Sequence, residues 1–201
     1  MDLWEFERET IAGGYVTLCG VDEAGRGPLA GPVFAAAVIL PFGITIPELN
    51  DSKKLSAAVR ERLFDEIMSK SQAYAIASAD NNEIDELNIL NATYLAMNRA
   101  IAALSIEPQL SLIDGNRNSG IETPSKCIIG GDGKSASIAA ASILAKVSRD
   151  RLMTDLAGEY PEYGFEKHKG YGTKAHYAAL DKYGPCSIHR ESFLKKWKSN
   201  K

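Results

Sequence analysis

Cysteine is scarce in this chain, and the three present, Cys19, Cys127 and Cys186, are odd in number, far apart and never spaced as C-x-x-C. That excludes a disulfide framework and a regularly spaced zinc site, and it suits a reducing compartment. Long apolar runs are also missing. No stretch approaches the ~20 residues that a membrane span requires, and the acidic opening MDLWEFERET has no basic-then-apolar leader pattern. A cytoplasmic protein is expected. Internal repeats and low-complexity stretches are absent as well, which argues against solenoids and linkers. What remains is ordinary globular material, 45% apolar and 24% charged over 201 residues. One substantial domain spanning 1–201 is expected.

The net charge is −3, but it is unevenly placed. From Tyr163 onward nine Lys and Arg face only Glu166, Asp181 and Glu191, a local +6, so the first 162 residues carry −9. A short basic segment is often only a solvated surface. An acidic body with a basic flank also suits an enzyme that gathers carboxylates for metal and grips phosphate elsewhere.

The hydrophobic pattern is mixed α/β. The strand-like run YVTLCG leads into GVDEAGRGPLAG, and after Gly31-Pro32 the run FAAAVIL (34–40) reads as a second strand. So tight a connection predicts antiparallel neighbours. Ser56 is placed to cap a helix through VRERLFDEIMSK, and AYAIASA (73–79) reads as a strand. IDELNILNATYLAMNRAIAAL has helical spacing, LSLID (110–114) and KCIIG (126–130) read as strands, and SASIAAASILAKVSRDRLMTDLAG reads as a long helix rich in small residues. Two further helices are predicted around 173–183 and 191–198. From about residue 145 onward the chain is therefore expected to be helical.

Acids fall where these elements end: Asp22 and Glu23 end the first strand, Asp114 ends the strand in LIDGN, and Asp132 sits in IGGDGKS just before the long helix. Each alone has an ordinary explanation as a turn residue or a cap. Together they resemble a carboxylate cluster, whose members repel and raise one another's pKa values unless a cation neutralises them. Oxygen ligands without a nearby His or Cys set favour Mg²⁺ or Mn²⁺, and two such ions ~4 Å apart suit in-line phosphodiester hydrolysis.

Two phosphate-loop readings fail. GRGPLA matches G-x-G-x-x-A, but no helix follows to hold a pyrophosphate, and Asp22 with Glu23 would repel it. GGDGKS ends like a Walker A loop, yet Ile128 stands where its first glycine belongs. His168, His176 and His189 read as surface or structural residues, since no carboxylate or thiol joins them at zinc-site spacing.

In order along the chain, VDEAGRGPLAGPV, LNDSKKLS, DELNIL, LIDGNR, AAASILAKVSRD, HKGYGTKAH and HRESF together resemble bacterial ribonuclease HII over nearly the whole length. The resemblance implies a ribonuclease H-like fold: a mixed five-stranded sheet, its first three strands antiparallel, flanked by helices and followed by a helical C-terminal portion. It implies endonucleolytic cleavage of RNA in RNA–DNA hybrids and 5′ of single ribonucleotides embedded in duplex DNA, dependent on Mn²⁺ or Mg²⁺. It also assigns roles. Asp22, Glu23, Asp114 and Asp132 match the family's metal-binding and catalytic acids. Gly25, Arg26 and Gly27 match a motif whose backbone contacts the ribose 2′-hydroxyl, and Tyr171 matches a tyrosine that reads the junction sugar. Lys53, Lys54, Lys146 and Arg149 fit phosphate contacts.

One position departs from the pattern. Relatives often carry Lys-Gly-Asp where this chain has Gly130-Gly131-Asp132, so Asp132 lacks a lysine from its own segment. Physical chemistry supports the motif independently, because a glycine-flanked turn permits close backbone approach and the 2′-hydroxyl distinguishes RNA from DNA at a given sugar. Another nuclease of the same fold, such as a junction resolvase, would share the acids without needing the turn or the tyrosine. A non-catalytic nucleic-acid-binding module would leave the acids without purpose. A monomer is expected, and no Q-x-x-hydrophobic-x-x-aromatic-aromatic clamp box is visible at the C-terminus.

Overall fold

The computed structural model describes residues 2–199. Its sheet is built from β1 (Leu18–Ala24), β2 (Val33–Ile39), β3 (Ala73–Ala79), β4 (Leu110–Asp114) and β5 (Ser125–Ile128), in the order β3-β2-β1-β4-β5. β1 pairs antiparallel with β2, and β2 with β3, whereas β1–β4 and β4–β5 are parallel. The tight β1–β2 connection thus gives the antiparallel pair that its length demands. β1 starts three residues after the run YVTLCG begins and continues through both acids, so Asp22 and Glu23 are ladder residues near its carboxyl end, as expected.

Side chains alternate across a strand, which sorts β1 between two cores. Cys19 and Val21 face one core, where Val33, Ala35, Ala37 and the helix α4 (Ile89–Ala102) pack. Gly20 and Asp22 face the opposite side, covered by α5 (Ala136–Glu159) and α2 (Ala57–Lys70). A Cβ on Gly20 would lie 2.1 Å from the Ser137 carbonyl carbon, so glycine allows the first turn of α5 to rest directly on the strand. α5 is lined with buried Ala136, Ala139, Ala140, Ala141 and Ala145, small enough for that approach.

Ser56 caps α2 by accepting from the Val59 amide, as its position predicts. The helical run after residue 81 is interrupted. It forms α3 (Asn81–Leu87) and then α4, because Asn88 adopts φ 67° and turns its side chain to accept from the Leu90 and Asn91 amides. Apolar spacing continues across that break, and only the capping asparagine marks it. The stretch expected as a helix over 191–198 is a 3-10 turn, Glu191–Phe193, followed by the short α8 (Lys195–Ser199).

The acidic N-terminus, read above only for its charge, forms α1 (Glu5–Ala12). Its Glu7 is buried and accepts from the Ser135 hydroxyl and the Ser137 amide at the start of α5. Beyond α5, α6 (Phe165–His168) and α7 (Lys174–Tyr183) pack with Met153 and Leu194 around Phe165 and Leu180. This layer meets the β1–β2 connection directly: the Gly31 and Arg190 amides donate to the Ile188 and Leu29 carbonyls. Among the described residues no helix is long and apolar enough to cross a membrane.

Candidate active site

The carboxyl ends of β1 and β4 are neighbours, so Asp22 and Asp114 approach one another where the sheet opens. Asp132 joins them from the 3-10 turn Gly131–Gly133 that precedes α5. Carboxylate oxygens of Asp22, Asp114 and Asp132 all lie within 4.8 Å of one another. The strand geometry and that turn hold two of them in place: the Glu23 amide donates to Asp22 Oδ1 at 2.7 Å, and the Gly131 amide donates to Asp114 Oδ1 at 2.7 Å. Burial raises the Asp22 pKa well above the ordinary carboxylate value, and the Glu23 and Asp114 charges push it further. Asp132 is raised by burial and then by Asp114. Three clustered acids, two of them buried, are a frustrated anion site that a hard divalent cation relieves.

Glu23 stands apart from this trio, as period-two alternation dictates. It points to the α4 side of β1, and its Oε1 accepts from Arg26 Nη1 at 3.2 Å. Burial raises its pKa, with the Arg26 charge opposing. Even so, Glu23 lines the same cleft as Asp22, Asp114 and the Gly25–Gly27 turn.

Lysines surround the acids without forming tight pairs throughout. Lys53 Nζ lies 3.4 Å from Asp132 Oδ2, so the cation missing at Gly130 comes from the 3-10 turn Ser52–Lys54 instead. Burial alone would lower the Lys53 pKa, but the Asp132 and Asp22 charges outweigh it and raise the value. Lys54 is exposed, with Nζ 3.9 Å from Asp51 Oδ2. Lys146 borders the cleft and bonds Asp150 Oδ1 at 2.7 Å.

Arg149 is a correction to the expected phosphate contacts. It is 1% exposed and donates to the Pro32, Lys169 and Ala30 carbonyls. No face of it is open to a phosphate; it fastens the β1–β2 connection to the segment before Tyr171. Its guanidinium also lies 5.9 Å from the Tyr171 ring centroid.

The glycine-arginine-glycine turn needs its first glycine. Gly25 has φ +99°, and a Cβ there would meet Arg149 Nε at 2.1 Å. Gly27 opens toward Tyr171, whose ring edge would be 3.5 Å from an added Cβ. The residue that holds this turn is not among those the motifs single out. Arg190, fully buried, donates to the Gly25, Arg26 and Gly31 carbonyls. In a trans peptide the N–H opposes the C=O, so the Arg26 and Gly27 amides point away from Arg190. HRESF carried the signal, but an arginine beside a basic tail reads as surface.

A ribonuclease H-like sheet with two carboxylates at neighbouring strand ends and a third converging from the turn before α5 is the arrangement of a carboxylate-centred nuclease. Comparisons specify it further. Residues 19–196 match the Ribonuclease HII family. Ribonuclease HII of Caldicellulosiruptor saccharolyticus is 57% identical over 192 residues, covering 96% of this chain and 94% of the relative. The Caldicellulosiruptor bescii protein of the same name is 56% identical, covering 96% and 93%. Among solved structures, ribonuclease H2 from Pyrococcus horikoshii superposes with a TM-score of 0.75 at 27% identity, covering 92% of this chain and 98% of that one. The chain belongs to the ribonuclease HII family and is a ribonuclease H enzyme.

Proposed function

We propose that this enzyme hydrolyses the RNA strand of RNA–DNA hybrids and cuts 5′ of single ribonucleotides embedded in duplex DNA, leaving 3′-hydroxyl and 5′-phosphate ends. The observation that carries the reading is the sharing of one cleft by Asp22, Asp114, the glycine-arginine-glycine turn and Tyr171, with an Asp132 carboxylate oxygen within 4.8 Å of those of Asp22 and Asp114. Chemistry and sugar inspection then act on adjacent nucleotides.

In this reading Asp22, Asp114 and Asp132 hold divalent metal, Mn²⁺ or Mg²⁺, with Glu23 contributing from the rim. A pair of such ions supplies water activation and neutralises charge on the leaving oxygen. The protein's own residues do the rest. The outward amides of the turn approach the 2′-hydroxyl, which only a side-chain-free backbone reaches closely. Tyr171, 44% exposed, offers its ring to the next sugar, where a deoxyribose presents the less hindered face. Lys53, Lys54 and Lys146 face the backbone phosphates, so binding weakens as salt rises. RNA–DNA hybrids and ribonucleotide-containing duplexes are the partners this surface fits.

Cleavage assays on a long hybrid, a duplex with one ribonucleotide and the matching all-DNA duplex, with and without Mn²⁺, test the reading. Metal-dependent cutting of the first two and not the third is expected. Cutting of all three, or cutting unaffected by chelation, would overturn it.

A further inference from the structure

Beneath Tyr171 lies a chain of histidines that the acid chemistry leaves unexplained. His176 and His189 are buried, with their Nε2 atoms 3.0 Å apart. Two imidazoles meeting in this way share one proton. Which ring carries it follows from their outer nitrogens. The Cys186 amide N–H points at His189 Nδ1 at 2.9 Å, closer than the Cys186 carbonyl at 3.3 Å, which makes that nitrogen the acceptor and puts the proton of His189 on Nε2. His176 Nε2 must then accept, placing its proton on Nδ1, which donates to the Tyr171 carbonyl at 3.0 Å. Hydrogen bonds therefore run in one direction from Cys186 through two neutral rings to the backbone of Tyr171. Burial lowers the pKa of both histidines, His176 to about 4, which keeps the rings neutral. His168 stacks on His176 at 4.6 Å and is tied in the same manner, accepting from the Gly170 amide and contacting the Tyr163 carbonyl through Nε2.

The residue after His189 is Arg190, whose guanidinium holds the carbonyls of Gly25 and Arg26. His189 itself forms a β-bridge with Ala30, and the Leu29 amide donates to the Gly170 carbonyl. One dipeptide thus reaches the turn with its second side chain and, through His176, the Tyr171 carbonyl with its first. We propose that His189 and Arg190, acting through His176, are positioning residues that fix the distance between the glycine-arginine-glycine turn and Tyr171, and thereby the selectivity for a ribonucleotide followed by a deoxyribonucleotide. This rests on the reading of those two elements given above. A buried network has this capacity because each member, once unpaired, leaves a costly orphan, so the arrangement is all or none.

The test begins with the wild-type enzyme. Imidazole nitrogen NMR at neutral pH should find His176 neutral with its proton on Nδ1 and His189 neutral with its proton on Nε2. The opposite tautomer or a charged ring at either position overturns the proposal without any variant. Kinetics then separate positioning from packing. His176→Phe and His189→Phe keep an aromatic of similar bulk and break the chain. They should lower kcat/KM on the single-ribonucleotide duplex by about tenfold more than on a long hybrid. His176→Asn, whose amide can still donate to the Tyr171 carbonyl but no longer accepts from His189, should recover only a minor part of that ratio; full recovery would overturn the role of His189. Equal losses on both substrates, while Tyr171→Ala does shift the ratio, would overturn the positioning role and leave the reading of Tyr171 intact. A ratio unchanged in Tyr171→Ala itself would sink that reading, and this proposal with it.

Discussion

Arg149 occupies the space that a side chain at Gly25 would need: a Cβ there would lie 2.1 Å from its Nε and 2.9 Å from the Pro32 carbonyl oxygen. Because Gly25 also has φ +99°, Gly25→Ala combines a left-handed backbone with displacement of a buried arginine. It should destabilise the enzyme by about 1–3 kcal/mol. Chemical denaturation measures the loss, and cleavage should fall even where the variant is fully folded, since the turn must move.

Asp22→Asn removes one charge from a cluster in which burial, and then the Glu23 and Asp114 charges, raise the Asp22 pKa. Without metal the variant should melt higher than the wild type, and adding Mn²⁺ should stabilise the wild type much more than the variant. Cleavage should drop to background while hybrid binding is kept or tightened, because one negative charge near the scissile phosphate is gone. Anisotropy titrations and melting curves with and without metal check both statements. Cleavage at the wild-type rate would end the assignment of Asp22.

The histidine network predicts an acid-side loss of stability. His176 has an ordinary pKa of 6.5 and a folded value of about 4. Between those values the unfolded chain binds more protons than the folded one, so this contribution is complete above about 6.5 and is lost as pH falls towards about 4. His189, also lowered by burial, acts in the same direction. The raised acids Asp22, Glu23 and Asp132 titrate with the opposite sign. The diagnostic quantity is therefore the difference from His176→Asn, whose melting temperature should vary less with pH across this window.

Lys167 is largely exposed, and Lys169 Nζ bonds the Thr154 hydroxyl at 2.5 Å, both beside the segment leading to Tyr171. If they face the duplex backbone, Lys167→Gln with Lys169→Gln should reduce the slope of log affinity against log salt by roughly 2, since about 0.9 counterions are released per neutralised phosphate. The site of cleavage should not move. An unchanged slope would return both lysines to ordinary solvated surface.

Much of this architecture is legible in the sequence because its signals are local. AYAIASA and LSLID match β3 and β4 residue for residue, and Ser56 and Ser135 cap the helices they precede. The break at Asn88 was hidden because apolar spacing runs through it, and α1 was hidden under its charge. For the site, motif spacing marks the acids, and strand alternation explains why Glu23 turns away from the other three. Arg149 and Arg190 escape a sequence reading because each is buried against carbonyls supplied from 20 or more residues away, which no local pattern reports. His176 and His189 read as surface or structural residues; both are buried, and the contact between their rings spans 13 residues. At Gly130 the segment of Asp132 supplies no lysine, and the cation that does reach Asp132, Lys53, lies 79 residues away in sequence.

In the proposed function the turn and Tyr171 read adjacent sugars beside a common metal site, so that one cleft selects and cuts a ribonucleotide-to-deoxyribonucleotide step. Parallel kinetics of Tyr171→Ala on a duplex with one embedded ribonucleotide and on a long RNA–DNA hybrid decide whether it does. A larger fall in kcat/KM on the single ribonucleotide is expected, by about tenfold for loss of one aromatic contact with a sugar or base. An equal fall on both substrates would refute it, leaving Tyr171 a general binding or packing residue.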